Sequence, residues 1–329
     1  MKILITAPYN DPAQGVLREH FGEIVYRPWK PHGRAYNEGE LIGLLKETQA
    51  DALITEHDEV TALVIDTFPD LAFIGVCRGT PSNVSVATAK ARGIPVFTTP
   101  ARNAQAVAEM FVANVINLMR NTLAGIDWLQ SEKWEKGAHT SYLQFKGNEL
   151  AGKMVGMVGF GAVGQRIARL VSAFPCKVQF YDPFVESFDD EYLRVSLEEV
   201  FSSSDIVSIN LPVTDQTRGM IDKKLIDKMR SDAIFVNTAR AAVVNRNDLL
   251  EALANKRIRG AVLDVFDNEP PDEVDYRIIH LPNVLATPHI AGATFEVEDH
   301  HARIMNEALL AHFSAQVLTK SNGKGAATR

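Results

Sequence analysis

Three glycines spaced G-x-G-x-x-G, at Gly159, Gly161 and Gly164, directly follow an apolar run over residues 154–158. The run predicts a buried strand, and the apolar positions after it recur at helical spacing, so strand, turn and helix follow in order. Gly159 would allow the tight turn, Gly161 the close approach of a pyrophosphate, and Gly164 the packing of helix against strand. The start of the helix would then offer free amides to the phosphates. The stretch predicts a dinucleotide-binding unit.

An acidic residue about 20 positions after the glycine turn is the next feature such a unit requires. Residues 177–181 form a second strand-like run, and Asp182 ends it. A carboxylate there accepts hydrogen bonds from the ribose hydroxyls of NAD and repels the 2′-phosphate of NADP. Residues 183–186, Pro-Phe-Val-Glu, include no cation to bind that phosphate. A glycine-rich turn in an unrelated fold would leave Asp182 unexplained, and we expect NAD as the cofactor.

The composition restricts the class of protein. The chain has 329 residues, 46% hydrophobic and 23% charged, which is ordinary for a soluble globular protein with room for two domains. Its net charge of −7 is spread along the sequence, so we expect neither nucleic acid nor a membrane as a partner. Cys77 and Cys176 lack metal-ligand spacing, and no metal site is expected. The cysteines and the absence of a leader-like start suit the cytoplasm.

Short apolar runs alternate with helical patterns, which predicts α/β architecture with parallel sheets. In the first part of the chain the runs lie at residues 3–6, 24–26, 52–55, 73–76 and 96–98. A long helix is predicted over residues 104–120, and residues 121–150 are interpreted as helix ends and a connecting loop. From residue 154 the runs resume at residues 154–158, 177–181, 206–210, 233–237, 260–264 and 284–286.

A last helical pattern over residues 294–317 needs a sheet to cover, because an open parallel sheet requires helices on both faces. We expect this helix to return to the first domain and to make that domain discontinuous. The predicted fold is α/β with two doubly wound parallel-sheet domains and a cleft between them. Residues 1–102 plus 294–329 would form a smaller, flavodoxin-like substrate domain, and residues 103–293 a Rossmann NAD-binding domain.

Three predicted strand ends in the second half carry side chains suited to hydride-transfer chemistry: residues 237–240, 264–270 and 287–292. Ligands of such sheets bind at these ends. Arg240 can hold a substrate carboxylate through two parallel hydrogen bonds and polarise the reacting carbonyl. His289 can exchange a proton near neutral pH, and Glu269 can orient its imidazole. Taken singly, each has a structural alternative: a surface salt bridge, a Glu-Pro loop and a turn-capping histidine.

With these residues in place, the chain resembles the D-isomer-specific 2-hydroxyacid dehydrogenases, the family of phosphoglycerate, glyoxylate/hydroxypyruvate and D-lactate dehydrogenases. The resemblance covers nearly the whole chain and is carried by ordered matches at residues 159–164 with Asp182, 210–214, 237–240, 263–266 with Glu269 and Pro270, and 287–292. It implies an NAD-dependent oxidoreductase that interconverts a D-2-hydroxy acid and its 2-keto acid. Arg240 would be catalytic, and Glu269 and His289 would form the acid/base pair.

The resemblance also implies further contacts. Asp264 would hold the nicotinamide carboxamide, and backbone amides near Arg78 and Gly79 would clasp the substrate carboxylate. Asn103 would lie at the interdomain cleft, and the helix behind it is commonly a dimer interface, so a homodimer is implied. The remaining cofactor contacts would come from the glycine turn and the strand ends: Ala162, Val163, Asn210, Leu211, Pro212, Thr238, Ala239 and Gly292.

Departures from the family pattern bear on the substrate. Residues 55–58, Thr-Glu-His-Asp, are acidic where phosphoglycerate dehydrogenases usually carry a phosphate-binding arginine, which disfavours 3-phosphoglycerate. Glu269 stands where formate enzymes carry glutamine, which argues against formate. Ala241 replaces the usual glycine after Arg240, and Asn210 replaces a common histidine. An alternative of another class is an NAD-sensing binding protein, like the corepressors that share this fold.

Overall fold

The computed structural model describes residues 1–134 and 138–323, with the side chains of the last helix described to residue 314. The chain divides into two compact units, Met1–Asn103 with Thr294–Arg329, and Ala104–Ala293. The final six residues of the first unit lie outside the described part. Each unit contains a parallel sheet with helices connecting its strands. The predicted fold class, α/β with two doubly wound parallel sheets, is confirmed.

The strands of the first unit are β1 (Lys2–Ile5), β2 (Glu23–Tyr26), β3 (Ala52–Thr55), β4 (Ile74–Val76) and β5 (Val96–Thr98). Its connecting helices are α1 (Asp11–Phe21), α2 (Glu38–Thr48), α3 (Ala62–Thr67) and α4 (Val86–Ala91), with a 3-10 turn at Lys30–His32. The strand order β2-β1-β3-β4-β5 is that of the flavodoxin-like fold. Ile3, Leu4 and Ile5 are wholly buried, because a sheet covered on both faces takes apolar side chains at successive positions.

The C-terminal helix (Glu296–Gly323) packs on this first sheet. Its Met305 lies so close to β4 that a Cβ added at Gly75 would be 2.9 Å from the methionine Sδ. The Tyr9 hydroxyl, after β1, lies 2.7 Å from Asn306 Oδ1, and the Asn306 amide donates to the Ala13 carbonyl at 3.0 Å. The segment after residue 293 therefore completes the core begun by the first 100 residues.

His301 of the C-terminal helix is wholly buried between strand ends of the first unit. Arg102 can only donate, so its Nη1 donates to His301 Nδ1 at 2.9 Å. His301 Nε2 therefore carries the proton and donates to the Pro8 carbonyl at 2.6 Å. Arg102 Nη1 also lies 2.6 Å from Glu56 Oε1. Burial lowers the pKa of His301, which agrees with the neutral form that these contacts require.

The strands of the second unit are β6 (Met154–Val158), β7 (Lys177–Tyr181), β8 (Leu193–Arg194), β9 (Ile206–Ile209), β10 (Ile234–Asn237), β11 (Gly260–Leu263) and β12 (Val284–Ala286). Its helices are α5 (Ala104–Met119), α6 (Thr122–Gln130), α7 (Ala138–Gln144), α8 (Ala162–Ser172), α9 (Leu197–Ser203), α10 (Lys223–Ile226), α11 (Arg246–Ala254) and α12 (Glu273–Ile279), with a 3-10 turn at Ala241–Val243. The strand order, β12-β11-β10-β9-β6-β7-β8, is the Rossmann order with one added strand at the β11 edge.

The interpretation of residues 121–150 as helix ends and a loop was wrong. Two helices, α6 and α7, lie there, and α6 has no buried residue. Both helices are short, nine and seven residues, so the apolar positions of α6 at Leu123, Ile126 and Leu129 extend over too few turns to give a clear periodic signal. The two-residue strand β8 was also missed, because it is too short to give an alternating pattern.

The buried His301 predicts a pH-dependent stability. Since its pKa is lowered in the folded protein, the unfolded chain binds more protons below about pH 6.5, and acidification favours unfolding. We expect His301→Gln to remove up to about 1.4 kcal/mol per pH unit from the slope of the unfolding free energy below that pH. Urea unfolding at several pH values measures the slope.

A matched control for this experiment is His139→Gln, an exposed position on α7, which should leave the slope as in the wild type. Equal slopes in the wild type and His301→Gln would show that His301 is not held neutral.

Candidate active site

The candidate groups of the second unit follow one row of the seven-stranded sheet. Strand pairing aligns the last residues of six strands: Val158, Tyr181, Ile209, Asn237, Leu263 and Ala286. The next residue of each strand is therefore a neighbour of the others across the sheet edge. With strands about 4.8 Å apart, the row extends over roughly 24 Å. In strand order it contains Thr287, Asp264, Thr238, Asn210, Gly159 and Asp182.

The three glycines have different surroundings. Gly159 has a φ of +93°, and an added Cβ would lie 2.8 Å from the Asn210 carbonyl oxygen. A Cβ at Gly164 would lie 2.7 Å from the Gly159 carbonyl oxygen, so that α8 can approach the turn only with glycine there. Gly161 precedes α8, and a Cβ there would meet no atom within 4 Å. The bare backbone at Gly161 faces open space, as the approach of a pyrophosphate requires.

The amides at the start of α8, on Ala162 and Val163, lie in the first turn, where backbone N–H groups have no partner within the helix. Such a helix start binds negatively charged groups. The second unit therefore contains both the open backbone and the free donors that a dinucleotide phosphate needs.

Asp182 is half-buried at the end of β7, and it links two turns. Its Oδ2 accepts a hydrogen bond from Phe160 N, inside the glycine turn, at 2.7 Å. Its Oδ1 accepts from Phe184 N at 2.8 Å and from Val185 N at 3.3 Å. A carboxylate has about four acceptor positions, so capacity for a ribose hydroxyl is left.

The turn after β10 is tied by Asn237, whose Oδ1 accepts from Ala239 N and whose Nδ2 donates to the Arg240 carbonyl, both at 3.0 Å. Within the described residues, the buried Thr238 hydroxyl has no hydrogen-bond partner. Buried hydroxyls are nearly always paired, so a polar ligand at this position would satisfy it.

The turn after β9 begins at Asn210, whose Nδ2 donates to the Gly159 carbonyl at 3.4 Å. Leu211 and Pro212 follow it and are half-buried and exposed, respectively. The predicted cofactor contacts in the turn after β9 therefore lie beside the glycine turn.

Glu269 and His289 form a direct pair. His289 Nδ1 lies 2.9 and 2.8 Å from the two carboxylate oxygens of Glu269, and both side chains are about 45% exposed. An ionised carboxylate only accepts, so Nδ1 carries the proton in this contact. The neutral imidazole then has Nε2 as an acceptor that can take a proton from a ligand.

Asp264 fastens the loop that carries His289. The carboxylate is 1% exposed, and its Oδ1 accepts from the Thr287 hydroxyl at 2.6 Å and from Ile290 N at 2.9 Å. Its Oδ2 accepts from Ala291 N at 2.8 Å. His289 has a φ of +54°, a conformation that a non-glycine residue keeps only where its surroundings impose it. Sequence patterns gave no sign of this loop-fastening role.

Arg240 is exposed, and its Nη1 donates to the carbonyl of Ala239 at 2.7 Å. Within residues 1–134 and 138–323, it makes no hydrogen bond or ion pair to Glu269 or His289. Gly292 lies half-buried in the turn after the His289 loop. The structure thus brings Glu269 and His289, the predicted acid/base pair, together and places the exposed Arg240 at a neighbouring strand end.

The predicted substrate residues Arg78, Gly79 and Asn103 belong to the first unit. Arg78 directly follows the buried Cys77 after β4, and its carbonyl accepts from Thr99 N at 2.9 Å. Gly79 is exposed, and Asn103 is half-buried before α5. This loop is therefore tied to the end of β5 by its backbone.

The acidic residues after β3 point inward. Asp58 is wholly buried and accepts from the hydroxyls of Thr6 and Thr55 at 2.5 and 2.6 Å. Glu56 is 5% exposed and pairs with Arg102. The Asp58 carboxylate is therefore held by hydroxyl donors and that of Glu56 by a guanidinium, and the exposed side chains of this loop are those of His57 and Glu59.

Across the part of the chain that the structure describes, no three His, Cys, Asp or Glu side chains are placed to hold a metal ion. None of the helices described there combines the length and apolar character needed to cross a membrane.

Comparison with known proteins identifies the family of the chain. The sequence profile of the "D-isomer specific 2-hydroxyacid dehydrogenase, NAD binding domain" matches residues 112–291. YoaD of Bacillus subtilis (strain 168), whose name assigns it to the 2-hydroxyacid dehydrogenases, is 58% identical over 309 residues, covering 94% of this chain and 90% of that protein. The hydroxypyruvate reductase of Thermotoga maritima is 35% identical over 260 residues, covering 79% and 83%. The structure of the TT0316 protein from Thermus thermophilus matches with a TM-score of 0.79 and 29% identity, covering 96% and 97%.

Alanine substitutions at two of the glycines should separate folding from cofactor binding. Gly164→Ala places a Cβ against backbone and should lower the unfolding free energy by about 1–3 kcal/mol. Gly161→Ala fits the folded protein but blocks the phosphate approach, so the Kd for NADH should rise roughly tenfold or more. Urea unfolding and fluorescence titration with NADH measure the two effects. Unchanged NADH affinity in Gly161→Ala would contradict the assigned phosphate site.

Proposed function

Because this chain belongs to the D-isomer specific 2-hydroxyacid dehydrogenase family, we propose that it interconverts a small D-2-hydroxy acid and its 2-keto acid, with Glu269 and His289 as the acid/base pair and Arg240 as the substrate anchor. The predicted family and the NAD cofactor are confirmed, and the chain is an NAD-dependent oxidoreductase. The observation that carries the proposed roles is the 2.8 Å contact between His289 Nδ1 and Glu269 at neighbouring strand ends.

NAD supplies the hydride acceptor when bound, and its reduced form supplies the donor. We propose that the glycine turn and the start of α8 hold its phosphates, and that Asp182 holds the adenosine ribose. The open space at Gly161 supports this placement. The Thr238 hydroxyl, which has no partner among the described residues, supports a further polar contact of the cofactor after β10. Asp264 keeps one of its four acceptor positions for the nicotinamide carboxamide, so its proposed cofactor contact is compatible with its loop bonds.

His289 performs the proton transfer in this proposal. In the oxidation direction, Nε2 takes the proton of the substrate hydroxyl, and in reduction the imidazolium returns it. Glu269 holds Nδ1–H, so that the ring keeps one orientation and its positive charge is balanced when it forms. Arg240 would bind the substrate carboxylate through two parallel hydrogen bonds. Arg78, Gly79 and Asn103 stay predictions as further substrate contacts.

The substrate class that we propose is a small unphosphorylated 2-keto acid of the glyoxylate and hydroxypyruvate kind. The Thermotoga maritima relative, named hydroxypyruvate reductase, supports it. A phosphorylated substrate would need a cation near the loop after β3. Arg102 there is already bonded to Glu56 and His301, and Arg78, the other arginine near His57, is predicted to contact the substrate carboxylate. No observation favours the NAD-sensing regulatory alternative, and the cytoplasmic location stays a prediction.

We further propose a homodimer. Exposed large apolar side chains are concentrated on α6, on α7 and at Trp134, with exposed fractions of 46 to 70%: Leu123, Ile126, Leu129, Trp134, Tyr142 and Leu143. Contiguous exposed apolar side chains are unusual on monomers and typical of interaction surfaces. This concentration supports the homodimer that the family resemblance implies, but it lies on α6 and α7 and not on α5, the helix behind Asn103.

The dimer is tested by the molar mass in solution, which should be twice the chain mass of 36.3 kDa at micromolar concentration. The double variant Leu129→Glu, Leu143→Glu should dissociate, because it would place charges in the contact. Leu63→Glu, an equally exposed position on α3, is the matched control and should stay dimeric. A wild-type monomer, or a double variant that stays dimeric, would contradict this interface.

The enzymatic proposal is tested by NADH oxidation with glyoxylate, hydroxypyruvate, pyruvate and phosphohydroxypyruvate. We expect turnover of an unphosphorylated acid to exceed that of the phosphorylated one. His289→Asn should lower kcat by about 10²–10⁴-fold, because the proton transfer is lost, while the Kd for NADH stays unchanged.

His139→Asn is the control. His139 is exposed on α7, 150 residues before His289 in the sequence, and the variant should keep wild-type kinetics. Retained turnover in His289→Asn, or lost NADH binding, would refute the role of His289. No turnover of any acid by the wild type would refute the substrate class.

A further inference from the structure

The segment that we call the Glu269 loop, residues 264–272, leads from β11 to α12. The Glu269 carboxylate is 44% exposed, and in the described residues its hydrogen bonds all go to His289. An exposed side chain with one partner is not held in place by packing. The position of Glu269 must therefore depend on how the backbone on either side of it is fixed.

Arg246 contacts the loop on both sides of Glu269. Its Nε lies 3.1 Å from Asp267 Oδ2, two residues before the glutamate. Its Nη1 lies 2.9 and 2.8 Å from the two carboxylate oxygens of Asp272, three residues after it. Arg246 is the first residue of α11, and Asn245 caps that helix with its side chain. One guanidinium with a fixed helical base therefore joins the two ends of the segment that carries Glu269.

Asp275 supports the same loop from below the surface. Its side chain is 3% exposed, and its Oδ1 lies 3.3 Å from Arg246 Nη1. Its Oδ2 accepts from Asn268 N and from Asp272 N, each at 3.3 Å. The amides on either side of Glu269 are thus bonded to a buried carboxylate that itself depends on Arg246 for its counter-charge.

Three carboxylates, those of Asp267, Asp272 and Asp275, surround Arg246. Without the guanidinium they would repel one another, and burial, which already raises the pKa of Asp267, would act against their charged forms. Lysine could not reproduce the arrangement, because its ammonium is a point charge without the planar fork that reaches two acceptors at once.

We propose that Arg246 is a positioning residue for the acid/base pair, holding the Glu269 loop so that the carboxylate meets His289 Nδ1. This inference rests on the proposed function of Glu269 and His289. Arg246 does not touch the reacting groups in this role, and it acts through the backbone between residues 267 and 272.

Kinetics of Arg246→Gln test the proposal with the best keto acid of the substrate screen. We expect kcat to fall roughly tenfold to a hundredfold, since small displacements of a catalytic group have effects of that size, while the KM for NADH stays within about twofold. The pH profile of kcat/KM should shift in the same direction as in Glu269→Gln. Arg246→Lys should recover part of the loss.

A double-mutant cycle separates positioning from general destabilisation. If Arg246 acts through Glu269, Arg246→Gln should have little further effect in a Glu269→Gln background, because the losses are not additive. Equal losses in both backgrounds would overturn the proposal. Arg230→Gln, which removes surface ion pairs to Asp232 and Asp205 in the same unit, is the control and should leave kcat unchanged.

One readout does not depend on turnover. The ring resonances of His289 in ¹⁵N-histidine-labelled protein, assigned with His289→Asn, should change in Arg246→Gln toward those of Glu269→Gln. Unchanged resonances would overturn the positioning role even if no substrate were found, whereas inactive wild-type protein with the expected change would overturn the proposed function alone. If Arg246→Gln fails to fold, as unfolding measurements would reveal, Arg246→Lys, which keeps the charge but not the planar fork, should show a smaller change in the same direction.

Discussion

One row of parallel strand pairing determines where the candidate groups of the second unit lie. A slip of one residue along any strand would turn its side chains to the opposite face of the sheet. Central strands such as Ile206–Ile209 and Ile234–Asn237 are buried at every position, so a slip would disturb the close packing of side chains on both faces. The observed register aligns Gly159, Thr238 and Asp264. The glycine turn is at the point where the strand order reverses, between β6 and β9.

Beyond the strand ends, the backbone is no longer hydrogen-bonded within the sheet. Polar side chains hold the loops in place there. Asp264 does this for the His289 loop through three hydrogen bonds, and Arg246 does it for the Glu269 loop through its carboxylate partners. The two loops leave adjacent strands, β11 and β12, so that Glu269 and His289 can meet. Each member of the pair is thus exposed to a ligand while its loop is tied to groups that are partly or wholly buried.

The sequence predicted most strands to within one residue, because a strand buried on both faces is a continuous apolar run. The glycine turn and Asp182 were found because their spacing follows from phosphate and ribose geometry. Arg246 contacts Asp267 and Asp272 of the Glu269 loop, 21 and 26 positions away, and no periodic pattern predicts these contacts. The sequence predicted that the negative charge of the acidic residues after β3 disfavours a phosphorylated substrate. Their inward orientation depends on partners such as Thr6, 52 residues from Asp58.

The choice of NAD is connected to the folding of the glycine turn through Asp182. The carboxylate that would exclude a 2′-phosphate also accepts the Phe160 amide of the glycine turn and the Phe184 amide of its own turn. A shorter neutral side chain at this position would leave both amides without their acceptor, and an unpaired backbone donor in a partly buried site costs about 1–3 kcal/mol. An exchange of cofactor preference therefore involves more than removing a negative charge. Because the proposed ribose site and the glycine turn share one carboxylate, a substitution at Asp182 would also affect the glycine turn.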